Sequence, residues 1–166
     1  MPAKTIIGVM GPGDEATPEN CAVAYQLGKC IAAEGWVTLS GGRNVGVMDA
    51  VSRGAQDGGG LTLGILPGDN AQQTSDYIDI PVLTGMGSAR NNINILTAKV
   101  VVICGLGAGT LSEIALAIKS KRHVIFLNQS RVSVKFLCDF AEKGTWHWVD
   151  NVEEATKKIK ELLASS

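Results

Sequence analysis

A chain of 166 residues with 45% hydrophobic content is long enough to bury a sizeable core, and it reads as one domain over residues 1–166. Fifteen basic against sixteen acidic residues leave a net charge of −1, which excludes the basic footprint of a nucleic-acid binder. No run approaches the roughly 18 apolar residues of a membrane span, and the four cysteines and two histidines show no metal-ligand spacing. Met1-Pro2-Ala3-Lys4 runs straight into a strand, with no room for a signal peptide. These features together predict a cytoplasmic, thiol-reduced protein that supplies no metal ligands of its own.

In chain order, residues 4–10 (KTIIGVM) read as a strand ending in Gly11-Pro12-Gly13. Thr17-Pro18 supplies an N-cap and a first-turn proline for a helix to about Glu34, with Val23, Leu27, Cys30 and Ile31 buried. Cys21 and Cys30 then lie on opposite sides of that helix, about 13 Å apart along its axis, too far for a bridge. Residues 36–39 are a second strand ending in Ser40-Gly41-Gly42-Arg43, and residues 46–56 a helix with Val47, Met48, Val51 and Ala55 on one side. Residues 61–66 form a third strand. The polar stretch 69–79 is the candidate for a mobile flap. Residues 80–83 are a short strand before Gly85-Met86-Gly87-Ser88, and residues 88–98 a helix with Ala89, Ile93 and Leu96 inward.

The run Val100-Val101-Val102-Ile103-Cys104 suits a strand buried on both faces, as in a parallel sheet. Gly105, Gly107 and Gly109 follow, and then a helix whose Leu111, Ile114, Ala115 and Ile118 make one apolar stripe. Strand, glycine turn and helix N-terminus together present backbone N–H groups to an anion. The glycines do not fit G-x-G-x-x-G, and no lysine follows Gly109 as in a P-loop. Thr110 and Glu113 stand at capping-box spacing, so Glu113 is either a cap or a ligand-facing group. By helical angle it lies opposite the stripe, outside the core. Cys104, inside an apolar run, reads as a buried structural thiol. Residues 123–127 are a strand, 134–142 a helix, 145–149 a strand with Trp146 and Trp148 on one face, and 152–163 a terminal amphipathic helix.

Alternating strands and helices predict an α/β fold with a mostly parallel central sheet. In such sheets ligands bind beyond the strand C-terminal ends. Four of those ends carry glycine turns, at residues 11–13, 41–43, 85–88 and 105–107, with Arg43 and Arg90 beside them. The reading is a long, anion-tolerant cleft.

Gly41-Gly42-Arg43 with Gly46-Val47-Met48, Arg90, and the run Gly107-Ala108-Gly109-Thr110-Leu111-Ser112-Glu113 resemble the Rossmann-like superfamily once labelled lysine decarboxylase. Its best-known enzymes are the cytokinin-activating phosphoribohydrolases, which cleave nucleoside 5′-monophosphates, and the resemblance makes Arg90 and Glu113 their catalytic pair. The flanks depart from those enzymes. No acidic residue or lysine brackets Arg90, and Gly105-Leu106 stand where the enzymes have Pro-Gly.

A second resemblance covers nearly the whole chain. Ile7-Gly8-Val9-Met10-Gly11-Pro12-Gly13, Gly64-Ile65-Leu66-Pro67-Gly68 and Gly85-Met86-Gly87-Ser88-Ala89-Arg90-Asn91-Asn92-Ile93-Asn94 look like the molybdenum cofactor carrier proteins of algae and cyanobacteria. That resemblance implies a Rossmann-like three-layer fold that binds molybdenum cofactor without catalysis. The implied partners are molybdoenzymes such as nitrate reductase, or cofactor-synthesis proteins, and the implied assembly is a homodimer or homotetramer. The implied binding residues are Gly11, Gly13, Gly41, Gly42, Arg43, Gly87, Ser88, Arg90, Asn91, Gly107, Gly109, Thr110 and Glu113.

Overall fold

The computed structural model describes residues 3–165, so the expectation placed on Met1-Pro2 lies outside the described residues. The elements follow as β1 (Ile6–Met10), α1 (Pro18–Ala33), β2 (Val37–Ser40), α2 (Gly46–Asp57), β3 (Thr62–Leu66), β4 (Ile80–Leu83), α3 (Asn91–Thr97) and β5 (Val100–Ile103). Then come α4 (Ala108–Lys119), β6 (His123–Leu127), α5 (Lys135–Cys138), β7 (Trp146–Val149) and α6 (Val152–Ala164). The seven strands pair in the order β4-β3-β2-β1-β5-β6-β7, every neighbour parallel. β1 lies at the centre, with Ile6 opposite Val37 of β2 and Ile7 opposite Val100 of β5.

The unbroken apolar runs follow from this position. A central parallel strand has helices on both faces, so alternation of polar and apolar residues is lost. Ile7, Val9, Val100 and Val102 face one layer, where α1, α2 and α6 pack. Met10, Val101, Ile103, Val124 and Phe126 face the other, under α3 and α4. Helix α1 fits closely against α2 because both carry glycine at the contact. A Cβ on Gly28 would run into the Val51 carbonyl, and one on Gly54 into the Tyr25 backbone. Trp146 and Trp148 share a face, as their spacing requires, and both rings pack on Phe126 with centroids 4.8 and 5.1 Å away. Lys119–Arg122 and the lysines of α6 lie at the surface.

Three expectations change. In α3 the buried residues are Asn91, Asn94 and Ile95, whereas Ala89 is exposed and Leu96 is 49% exposed. The apolar phase misleads here because this helix packs its polar side against α4. The same inversion affects α4, which buries Thr110, Glu113, Ile114 and Ala117 and leaves Leu111 and Ala115 exposed. The helix expected over residues 134–142 shortens to a 3-10 turn, Arg131–Val134, and the four-residue α5. Only Val134 of this segment is buried, while Phe136 and Phe140 remain exposed, so no apolar face anchors a longer helix.

The stretch 69–79 is irregular, as its composition predicts, but it is tethered. Ser75 donates to Asp49 at 2.7 Å, the Asp79 carboxylate accepts from the Thr62 amide at 2.8 Å, and Arg43 and Thr74 form an isolated β-bridge. Among the described residues no helix is long and apolar enough to cross a membrane, and the four cysteines are free.

Candidate functional site

The site is built where β1 and β5 end side by side. β1 continues into α1 on one face of the sheet and β5 into α4 on the other, so the chain diverges and leaves a crevice above the strand ends. Two glycines permit the two loops to close on each other. A Cβ on Gly11 would sit 2.7 Å from the Cys104 carbonyl oxygen and from Val47. Gly105 has φ +111, and its Cβ would sit 2.8 Å from Pro12 and Asn20, so both conformation and space demand glycine there.

The resulting cleft has a volume of about 440 Å³, within the range of small-molecule sites. The β1 turn contributes Gly11 and Gly13, the β2 turn Gly41 and Arg43, and the turn after β4 contributes Gly87 and Ser88. Arg90 and Asn91 come from the start of α3, and Gly107, Gly109, Thr110 and Glu113 from the β5 turn and α4. Gly42 does not reach the cleft. It is buried at φ +75 against Gly64, where its role is to let β2 and β3 approach. Pro12 and Met48, which lie within the quoted motifs but are not among the implied binding residues, also line the cleft, as does Gln73, which lies in no motif. Met48 reads as core because it shares its helix face with Val47 and Val51.

Arg90 is 8% exposed. Its Nη1 donates to the carbonyls of Gly41 at 3.1 Å and Ile65 at 2.8 Å, tying together the ends of β2 and β3. The guanidinium fits because residue 41 has no side chain, since a Cβ there would collide with Arg90 Nη1. Burial pulls its pKa down, while the nearby Glu113 charge pushes it up. Its Nε is buried without a partner, as are Nε of Arg43 and Oγ1 of Thr110. Arg43 faces Asp14 at 3.9 Å across a solvent-exposed gap, a contact of little energetic weight.

Helix α4 begins at Gly107 with no side-chain cap. The capping-box reading of Thr110 and Glu113 therefore fails. The Glu113 carboxylate instead accepts from Asn94 Nδ2 of α3 at 3.0 Å, and Asn91 donates to Ser112 at 2.8 Å alongside it. Glu113 is 7% exposed, and burial pushes its carboxyl up to about 7 against the downward pull of Asn94 and Arg90. Asn94 stands in the run that carries the carrier resemblance, but its pairing with Glu113 is not legible there, because the partner lies 19 residues away on another helix. The amides of the first turn of α4 have no acceptor within the helix. They add donors suited to an anion beside the two arginines, while the carboxylates of Asp14, Glu15 and Glu113 also line the cleft.

Cys104 lies below the cleft rather than in it, 1% exposed, with its thiol pushed up to about 12 by burial. It is a packing residue. No cysteine or histidine is among the residues lining the cleft.

This architecture defines a class: a Rossmann-like α/β protein with a ligand-sized cleft at the switch point of an all-parallel sheet. The chain belongs to the SLOG cluster 4 family, which it matches over residues 4–156. It is similar to the molybdenum cofactor binding protein of the phototrophic bacterium Rippkaea orientalis, with 49% identity and a TM-score of 0.93, covering 97% of this chain and 98% of that one. It is also similar to the molybdenum cofactor carrier protein of Chlamydomonas reinhardtii, at 44% identity and a TM-score of 0.91 over 98% and 99% of the two chains. A more distant relative is the cytokinin riboside 5′-monophosphate phosphoribohydrolase of Mycobacterium marinum, 30% identical over 68% of this chain. The match spans 62% of that enzyme's length.

Proposed function

We propose that this protein binds molybdenum cofactor, shields it and carries it to molybdoenzymes without catalysis. The observation that carries this reading is likeness over almost the full chain, at 49% identity, to a protein described as binding that cofactor. The cleft fits such a ligand on its own terms. Molybdenum cofactor is a flat pterin whose phosphate and oxo-molybdenum ends are both anionic. The unpartnered Nε of Arg90 and Oγ1 of Thr110, with the uncapped start of α4, are donors in search of acceptors. Gly11, Gly13, Gly41, Arg43, Gly87, Ser88, Asn91, Gly107 and Gly109 complete the surface against which the ligand would lie. The metal would keep its own dithiolene ligands, since the lining offers neither thiolate nor imidazole.

The proposal extends to a cytoplasmic domain spanning residues 1–166, consistent with its four free cysteines. It extends also to a homodimer or homotetramer. The edge strand β4 exposes Ile80 and Leu83 by 45% and 44%, and Leu96 of α3 is 49% exposed. An apolar edge of this kind is protected by association. Nitrate reductase, another molybdoenzyme or a cofactor-synthesis protein would be the partner.

The phosphoribohydrolase reading is supported by Arg90 and Glu113 facing the same cleft and by the 30% identity to such an enzyme. The direct test of the carrier is anaerobic mixing with cofactor, separation, and oxidation to the fluorescent pterin. Co-eluting pterin that reconstitutes apo-nitrate reductase is the expected result. Failure to retain or protect any cofactor overturns the carrier assignment.

A further inference from the structure

Three carboxylates line the cleft, and Glu113 alone of them is buried, since Asp14 and Glu15 are exposed. Glu113 is 7% exposed and lines the cavity, yet among the described residues no lysine or arginine nitrogen lies within 4.0 Å of its carboxylate. Arg90 is near enough to be felt, but its Nη1 is committed to two backbone carbonyls. The one hydrogen bond recorded to Glu113 comes from the neutral Asn94 amide, which holds one oxygen and leaves acceptor capacity on both. A buried carboxylate needs donors. Here the protein leaves most of them to be supplied from the cavity.

A phosphate cannot supply them, and neither can an oxo-metal centre. The complement of two carboxylate oxygens is a planar edge with two adjacent N–H donors. Such an edge is N3–H beside the 2-amino group of a 2-amino-4-oxopyrimidine, present in both pterins and guanine. We propose that Glu113 reads this edge, and so fixes which end of the ligand enters the floor of the cleft. The inference rests on the carrier reading for its choice of a pterin as the source of the edge. Asn94 is the positioning residue: its amide sets the carboxylate plane from α3. Glu113 follows Thr110 by three residues, so its Cα lies about 4.5 Å further along the α4 axis. The heterocycle and an anionic group can therefore be recognised by one helix, at neighbouring turns.

The test compares matched ligands on the wild-type protein by equilibrium titration at pH 8. A 6-substituted pterin bearing a side-chain phosphate is set against its 2,4-dioxo counterpart, in which the 2-amino group is replaced by oxygen. Guanosine, xanthosine and adenosine monophosphates form the second arm, and intact molybdenum cofactor the control. The expected result is a preference of roughly 10- to 100-fold for the 2-amino pterin, the size of a lost charged hydrogen bond. In Glu113→Gln, which presents a donor where the ligand also donates, that preference falls towards one. Asn94→Ala reduces it without abolishing binding. The same preference in guanosine over xanthosine monophosphate, without one among the pterins, supports the edge and assigns it to a guanine nucleotide.

Cofactor retained with no preference in either arm overturns the inference and leaves the carrier reading standing. Adenosine and guanosine monophosphates bound equally well, each better than the pterin, also overturn it, because the carboxylate would then face a ribose. No retention of intact cofactor overturns the carrier reading, and the pterin assignment falls with it. The wild-type comparison does not depend on a variant folding, and a thermal melt of each variant checks that it does.

Discussion

Asn94, at the middle of α3, donates its side-chain amide to Glu113 of α4 at 3.0 Å, and both residues are buried, Glu113 in the lining of the cleft. This bond joins two helices of one layer through polar atoms. It opposes, without cancelling, the upward push that burial gives the Glu113 carboxyl.

Burial raises the Glu113 carboxyl from an ordinary 4.5 to about 7. The folded protein thus holds this proton more tightly than the unfolded chain does. The associated stability is complete below about 4.5 and is lost as pH rises through 7. Across that interval the loss is roughly 3 kcal/mol. Glu113→Gln keeps an acceptor for Asn94 without the charge. Its thermal midpoint should exceed that of the wild type by roughly 5–10 °C at pH 8, with the gap mostly closed at pH 5. Equal midpoints at both pH values would show that the carboxylate is not desolvated in the folded protein.

Arg90 has a structural duty besides any ligand contact. Arg90→Met keeps the bulk and removes the bonds to the Gly41 and Ile65 carbonyls. Two buried acceptors lose their donor, which should cost roughly 2–4 kcal/mol by chemical denaturation. Cofactor affinity should fall as well. A variant that loses affinity at unchanged stability would mean that the two carbonyls find other donors.

Gly109 offers a cleaner probe of the anion-binding turn. A Cβ there meets nothing within 4 Å, whereas one on Gly107 would lie 3.3 Å from both Glu15 and Pro12. Gly109→Val should therefore fold with a midpoint close to the wild type, yet obstruct backbone approach to the ligand and weaken binding at least tenfold. Unchanged affinity in the folded variant would remove the first turn of α4 from the site.

The carrier and the hydrolase separate on turnover. Wild-type protein incubated with adenosine, guanosine or cytidine 5′-monophosphate should release no base. Release at about 1 per second or faster, in the ordinary enzyme range, and abolished in Glu113→Gln, would make the protein a phosphoribohydrolase.

Assembly is tested by light scattering. A protomer of 17.4 kDa should appear at two or four times that mass at micromolar concentration. Leu83→Lys on β4 with Leu96→Glu on α3, which places charge on both exposed apolar surfaces, should shift the population to the monomer. A wild-type monomer would refute the assembly proposal.

Local chemistry alone settles much of this molecule. β-branched runs bounded by glycine turns mark the strands, and Thr17-Pro18 starts α1 where the structure starts it, with Thr17 accepting from the Asn20 amide. The rule that ligands lie beyond parallel strand ends is enough to bring the turns at 11–13, 41–43 and 105–107 to one rim. Tertiary structure alone decides the phase of α3 and α4. Periodicity assumes that apolar residues point inward, and it therefore sends Asn94 and Glu113 to solvent. In the fold they are buried together, and the one hydrogen bond that Asn94 donates to Glu113 from a different helix offsets part of the desolvation. The role of Arg90 in clamping β2 to β3 is equally non-local. It depends on residue 41 being glycine and on strands 49 and 25 residues away ending at the same level, a coincidence that no window along the chain contains.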